Sequence, residues 1–193
     1  MKRAEKKKIR RRYWRRKHTK KSPANAGGKK IPLHSGPLTA YFSKSAMNKI
    51  LTQVEGDVYH ECGAFLIGNL MTDHITGHTI AIVDDVYSDG EYGTPSNYSF
   101  SSHMQVKALN YIERNYSDTK HMIGTVHSHA QFDAFYSGTD YDMMNSRRSE
   151  EIHMVLSPSH RTFVLTYKDM DFVYHNDIEL VEPAGFGYRR NPQ

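Results

Sequence analysis

The sequence predicts a mixed α/β fold: a single domain with a central mixed β-sheet flanked by helices. Three observations predict it. Apolar, β-branched runs of strand length recur along the chain. Segments with apolar residues at helical spacing lie between them. A chain of 193 residues, 38% of them hydrophobic, suffices for one core but not two. Leu38–Phe42 reads as a short strand. Ser43 or Ser45 can cap a helix in which Met47, Ile50, Leu51 and Val54 share a face, with Gly56-Asp57 as its stop. Glu61–Leu70 is a mostly apolar run of strand length, and His78–Tyr87 is a β-branched strand. Asp84–Asn97 is rich in polar residues, Gly and Pro and reads as a loop. Ser101 or Ser102 opens a second helix with Met104, Val106, Leu109, Ile112 and Tyr116 as its apolar stripe. Lys120–His127 is a buried strand, followed by a long loop and a helix from about Ser137 to Ser146. Ile152–Leu156, Arg161–Tyr167 and Asp171–Tyr174 close the domain as strands, the last two a hairpin around Lys168–Met170.

Charge divides the chain. Residues 1–30 hold 15 Lys and Arg against one acid, Glu5, whereas residues 31–193 hold 11 basic and 20 acidic side chains. The pI of 9.2 therefore belongs to the arm and not to the body. The chain reads as a basic arm and linker at 1–30, a body at 31–180 and a C-terminal tail at 181–193. Dense like charge with little to bury predicts an arm disordered in isolation. Glu5–Lys17 can become helical against an anionic partner, and Ser22–Gly28 is a flexible linker. A solvated tail is one reading of the arm. The other is a tether to nucleic acid, an acidic protein or the acidic body itself, with Tyr13 and Trp14 able to stack on bases. No apolar run approaches the roughly 18 residues needed to span a bilayer. The basic start lacks the apolar stretch of a secretory signal. A lone cysteine, Cys62, excludes an internal disulfide framework and points to a reducing cytoplasm.

The informative segment is His127–Asp140, HSHAQFDAFYSGTD. Strand side chains alternate, so His127 and His129 face the same way and form a ready pair of metal ligands. Ser137 and Asp140 have the spacing of a capping box just before a helical pattern. A helix start turned back toward the strand end would also present Asp140 as a third ligand. Two imidazoles and a carboxylate leave a fourth tetrahedral position open, as catalytic zinc sites do. Glu61, at the mouth of an apolar strand, is the candidate base for the water such a site activates; an exposed first strand residue is the alternative. Cys62 should face away from Glu61 as a small core residue. Asp133 lies close enough to compete as a ligand but off the spacing, His60 neighbours Glu61, and the remaining histidines show no paired ligand spacing.

The pattern His127-Ser-His129, seven residues, Ser137, two residues, Asp140 resembles the JAMM signature of the MPN/JAB metallopeptidase family, in its stand-alone prokaryotic form. The segment Glu61-Cys-Gly-Ala-Phe-Leu-Ile-Gly resembles the family's upstream Glu strand, and Tyr98-Ser-Phe100 its aromatic segment before the second helix. Ala130 departs from the Pro found after the second His in many members and removes no ligand. The resemblance implies zinc held by His127, His129 and Asp140, Glu61 as base and proton carrier, and Ser137 as hydrogen-bond donor to the oxyanion. It further implies hydrolysis after the C-terminal glycine of a ubiquitin-like protein, for deconjugation or precursor maturation. The setting it suggests is a conjugation system with separate activating and conjugating enzymes, antiphage ones included. Tyr92, Phe132, Phe135 and Tyr136 lie where the family grips an extended substrate tail. Other readings are processing of a sulfur carrier or another peptide, a nucleic-acid-associated module acting through the arm, and an inactive scaffold. The intact Glu61 and Ser137 argue against the last.

Overall fold

In a computed structural model of the protein, which describes residues 38–54, 58–176, 178–181 and 186–192, three serines set where the helices start. The expectations for the basic arm, its linker and the Gly56-Asp57 stop lie outside the described residues. Helix α1, Lys44–Gln53, is capped by Ser43, whose hydroxyl accepts from the Ala46 amide at 3.0 Å. Helix α2, Ser102–Tyr116, is capped by Ser101 onto Met104, also at 3.0 Å. Helix α3, Gly138–Ser146, is capped by Ser137. Each cap satisfies a backbone donor that the first turn leaves orphaned.

The strands are β1 (Leu38–Phe42), β2 (Gly63–Thr72), β3 (Thr79–Tyr87), β4 (His121–Ser128), β5 (Glu151–Ser157), β6 (Thr162–Lys168), β7 (Tyr174–His175), β8 (Glu179–Val181) and β9 (Arg189–Arg190). Among the described residues they form one sheet in the order β7-β6-β5-β4-β2-β3-β1-β8, with β9 beside β6. It is mixed, as expected: β4 runs parallel to β5 and antiparallel to β2, and β1 runs parallel to β3 and β8. The two-residue alternation of β2 sorts the cores. Ala64 and Leu66 join the main core with Ala46, Met47 and Ile50 of α1. Phe65 and Ile67 point to the other face, under Met104, Ala108 and Ile112 of α2. Met144 of α3 covers Val155 and Val164 on that same second face. The metal-ligand candidates therefore sit at the end of a central strand, beneath α3.

The structure corrects several expectations. Val106 and Leu109 are not core residues but 54% and 49% exposed. The buried line of α2 is Met104, Ala108, Ile112, one residue in four; Val106 and Leu109 lie roughly 160° and 100° round the helix from its middle. The strand after Lys168 is Tyr174–His175 rather than Asp171–Tyr174, because the Asp169 carboxylate accepts from the amides of Asp171 and Val173 and curls that segment into a loop. The segment read as a tail returns to the sheet: Phe186 and Tyr188 enter the main core and Arg189–Arg190 pairs with β6. The strand expected at Glu61–Leu70 starts at Gly63 and runs to Thr72.

Candidate metal centre

Strand β4 delivers the first histidine and its end delivers the second. His127 pairs in register with Gly63 of β2 and Val155 of β5, so backbone ladders hold it on both sides. His129 is held one step later by its amide on Leu156 O at 2.7 Å. Between them Ser128 is fully buried; its amide donates to Cys62 O at 2.8 Å and its hydroxyl accepts from the Cys62 amide at 3.0 Å. That double tie brings Glu61, one residue before Cys62, alongside the histidines.

The following loop is fastened to the sheet. Ser157 Oγ donates to Phe132 O at 2.5 Å, and the Asp133 carboxylate accepts from the Ala134 amide and the Thr162 hydroxyl. Asn191 donates to Ala134 O at 2.8 Å. Asp133 is thus spent on its own loop and is not a rival ligand. The loop delivers Ser137 as the cap of α3, with Asp140 at its third position.

The ligand atoms of His127, His129 and Asp140 all lie within 4.8 Å of one another, and the three residues are buried. Asp140 Oδ1 is 3.0 Å from His127 Nε2, and its Oδ2 is 3.5 Å from His129 Nε2. The carboxylate divides its work. Oδ2 accepts from the Ser137 amide at 2.7 Å and from its hydroxyl at 2.6 Å, while Ser137 Oγ accepts from the Asp140 amide at 3.2 Å. Cap and metal readings of Ser-x-x-Asp therefore coincide, with Oδ1 left facing His127. The His129 Nδ1–H donates to Asp133 O at 3.2 Å, which aims the Nε2 lone pair into the cluster. His127 Nε2 is buried without an aligned hydrogen-bond partner, despite Oδ1 nearby. A metal ion would satisfy that orphaned nitrogen.

The electrostatics agree with this donor set. Burial pushes the Asp140 carboxyl up, but the two imidazoles and the Ser137 hydroxyl outweigh it and hold the group well below the usual carboxylate range. His129 loses charge stability to burial but gains more from Asp140 and Glu61, so its pKa rises. Glu61 is 4% exposed, which overturns the reading of it as an exposed strand residue. Its backbone is paired with a loop instead: Gly93 N donates to Glu61 O at 2.7 Å and Glu61 N to Thr94 O at 3.0 Å. Burial raises the Glu61 pKa, opposed by His127 and His129. A buried carboxyl of raised pKa beside a cation site is suited to taking up and returning a proton.

Glu61, His129, Ser137 and Asp140 line one pocket of about 230 Å³. Of the expected groove residues, Phe132 and Phe135 line it too, with Phe135 edge-on to the His129 ring at 4.8 Å. Tyr92 stands beside the Glu61 strand, paired with Cys62, and is not on the wall. Tyr136 is a correction. Its hydroxyl donates to His153 O at 2.5 Å and its ring packs with Ala134 and Met144 in the third core. Alternate loop residues face opposite ways here, and FDAFY carries no period that reveals which. The polar wall formed by Ser96, Asn97 and Thr139 was missed in the sequence. Thr139, inside the Ser-x-x-Asp spacing, was the one with a usable signal. Cys62 is buried, as expected.

A family model described as prokaryotic homologs of the JAB domain matches residues 43–169. The chain belongs to this family. The matched span contains every residue of the JAB-domain pocket named above and leaves out the basic arm. Among solved structures, the chain is similar to the solution structure of protein DSY2949 from Desulfitobacterium hafniense, with a TM-score of 0.57 and 20% identity over 76% of this chain and 96% of that one. At that identity the likeness concerns the fold. No match was found among curated proteins. The JAB family includes metallopeptidases, in keeping with a His-His-Asp group that can hold a metal ion. Among the described residues no helix is long and apolar enough to cross a membrane.

Proposed function

We propose that this JAB-domain protein is a zinc-dependent peptidase that hydrolyses the bond after the C-terminal glycine of a ubiquitin-like protein, from a target lysine or a precursor extension. The observation that carries the chemistry is the buried His127–His129–Asp140 trio with its unpartnered imidazole nitrogen, sharing one pocket with a buried Glu61 of raised pKa. The substrate class rests on the family resemblance.

His127 Nε2, His129 Nε2 and Asp140 Oδ1 would hold the ion. When bound, it supplies Lewis-acid polarisation of the amide carbonyl and acidifies water. The Glu61 carboxylate takes the proton from the attacking water and returns it to the leaving amine. The Ser137 hydroxyl hydrogen lies on Asp140 Oδ2, so donation to the oxyanion requires it to rotate toward the substrate. Phe132 and Phe135 supply the apolar part of the pocket lining, and Ser96 and Asn97 a polar part. In this reading the body at 31–180 carries the activity in the cytoplasm, beside activating and conjugating partners. A second reading, favoured by the 15 basic residues of the arm, adds a nucleic-acid or acidic-protein tether at 1–30.

The test is incubation with a panel of ubiquitin-like proteins bearing C-terminal extensions, read by intact mass. A cut after the terminal glycine, lost on chelation and in Glu61→Ala, is expected. Stoichiometric zinc with no cut of any ubiquitin-like protein would move the substrate to a sulfur carrier or another peptide.

A further inference from the structure

A second cavity, of about 510 Å³, opens between α2 and the end of α3, away from Glu61 and the histidines. Leu109 of α2, Met122 of β4 and Met143 of α3 supply its apolar lining. Arg147 and Arg148 meet Glu151 at its polar side. Arg147 Nε lies 2.7 Å from Glu151 Oε2, and Arg148 Nε lies 3.1 Å from Oε1. Arg147 is planted with its guanidinium 5.4 Å over the Phe65 ring, whereas the Arg148 side chain is 60% exposed. Two guanidiniums on one carboxylate leave a local positive excess on a chain whose residues 31–193 hold 20 acids against 11 bases. The exposed Val106 and Leu109 extend the apolar lining outward along α2.

We propose that this cavity is a docking site for a short acidic–apolar peptide segment of a protein partner, its apolar side chain seated between Leu109 and the two methionines and its carboxylate on the exposed Arg148. Methionine linings reshape around different apolar anchors, and a planar guanidinium suits a carboxylate. The chain's own basic arm has the wrong sign for this site. A nucleic-acid backbone has the right sign but offers nothing to the apolar lining. The site differs from the proposed catalytic pocket and stands without it. The two are linked by α3 and β4, and the seven-residue step from Asp140 to Arg147 rises roughly 10 Å along the helix.

The test is to pan a random dodecapeptide display library against the full chain and to measure the affinity of the enriched peptides. Enriched peptides are expected to pair an acidic residue with Leu, Met or Phe. Leu109→Glu, at an exposed position, should weaken binding at least tenfold with unchanged melting. Arg148→Gln should weaken it as much, with melting followed beside it because Arg148 also bonds Glu151 and Met122 O. Ile75→Ala, on a distant exposed turn, should leave binding unchanged. Binding should survive chelation and protect the first half of α2 and the end of α3 from hydrogen exchange. The proposal is overturned if no peptide is enriched, if the enriched peptides lack that pairing, or if protection falls on the 130–136 loop. Equal sensitivity of a single-stranded oligothymidine to the two variants would also overturn it.

Discussion

The two ends of α3 each meet a buried cluster of charge, and the clusters differ in what balances that charge. At the start of the helix the ligand atoms of His127, His129 and Asp140 converge within 4.8 Å of one another, with no Lys or Arg among them. At its end, Glu151 is 1% exposed and saturated by Arg147 and Arg148, while the Lys168 ammonium donates to the carbonyls of Met144 and Arg147, the orphan acceptors of the helix C-terminus. The second cluster carries its own cations and holds the helix end in place, although His153 Nε2 beside Glu151 is, like His127 Nε2, buried without a hydrogen-bond partner. The first has converging ligand atoms and no such cation, so a metal ion would complete it. Neither burial nor an unfilled bond alone therefore marks a site; an unfilled nitrogen among converging ligand atoms does.

The strongest way to break the comparison is to remove donors from each cluster. His127→Ala with His129→Ala should abolish stoichiometric zinc, read by elemental mass spectrometry, and leave a folded chain. Zinc retained in that variant would refute the ligand assignment. Glu61→Gln keeps the shape of the side chain and removes the base. It should lower kcat by about 10²–10⁴-fold with zinc content unchanged, as checked by turnover of whichever ubiquitin-like substrate is cut. Ser137→Ala is expected to cost about 10²-fold in kcat together with roughly 1 kcal/mol of stability, since the same hydroxyl caps α3. A stability loss without a rate loss would make Ser137 a cap alone.

At the other end, Glu151→Ala leaves Arg147 facing the core without its carboxylate. Breaking a buried pair in this way costs about 3–5 kcal/mol, to be read from urea unfolding, and the surviving folded fraction should still bind zinc. Loss of zinc from folded Glu151→Ala would show that the two ends of α3 are not separable.

The sequence showed the first cluster far better than the second. Two histidines at a spacing of two on a strand must share a face, and Ser-x-x-Asp must start a helix, so local rules place three ligands and a cap. Glu61 was legible as a candidate but not as a buried one. What buries it is long-range: the 93–98 loop pairs with its backbone, and the Tyr98 ring lies 2.2 Å from where a Cβ on Gly63 would stand. Only glycine lets the loop close at that position. The Glu151 cluster joins the stretch Arg147–Glu151 to Lys168 of β6, and no spacing announces that long-range meeting. The return of Phe186 and Tyr188 to the core is likewise a tertiary fact that a polar, Pro- and Gly-bearing stretch conceals.

The smallest expected effect separates the clusters by pH. His153 is 1% exposed beside Glu151, with its Nδ1 2.9 Å from Thr125 Oγ1. Burial, helped by Arg147 and Lys168, drives its pKa well below the ordinary value. The folded chain thus keeps this ring neutral at pH values where the unfolded chain, with an ordinary imidazole pKa of about 6.5, takes up a proton. The stability from neutral His153 is fully present above that pH and is lost as the pH falls below it, by at most about 1.4 kcal/mol per unit. Urea unfolding between pH 7.5 and 5 should show this loss, and His153→Gln should flatten the slope by close to one proton while lowering stability at pH 7.5. The same slope in the variant would move the titration away from His153. Because the ring lies in the closed cluster, the loss should appear with and without zinc; a slope that zinc removes would instead place the titrating group at the open end of α3.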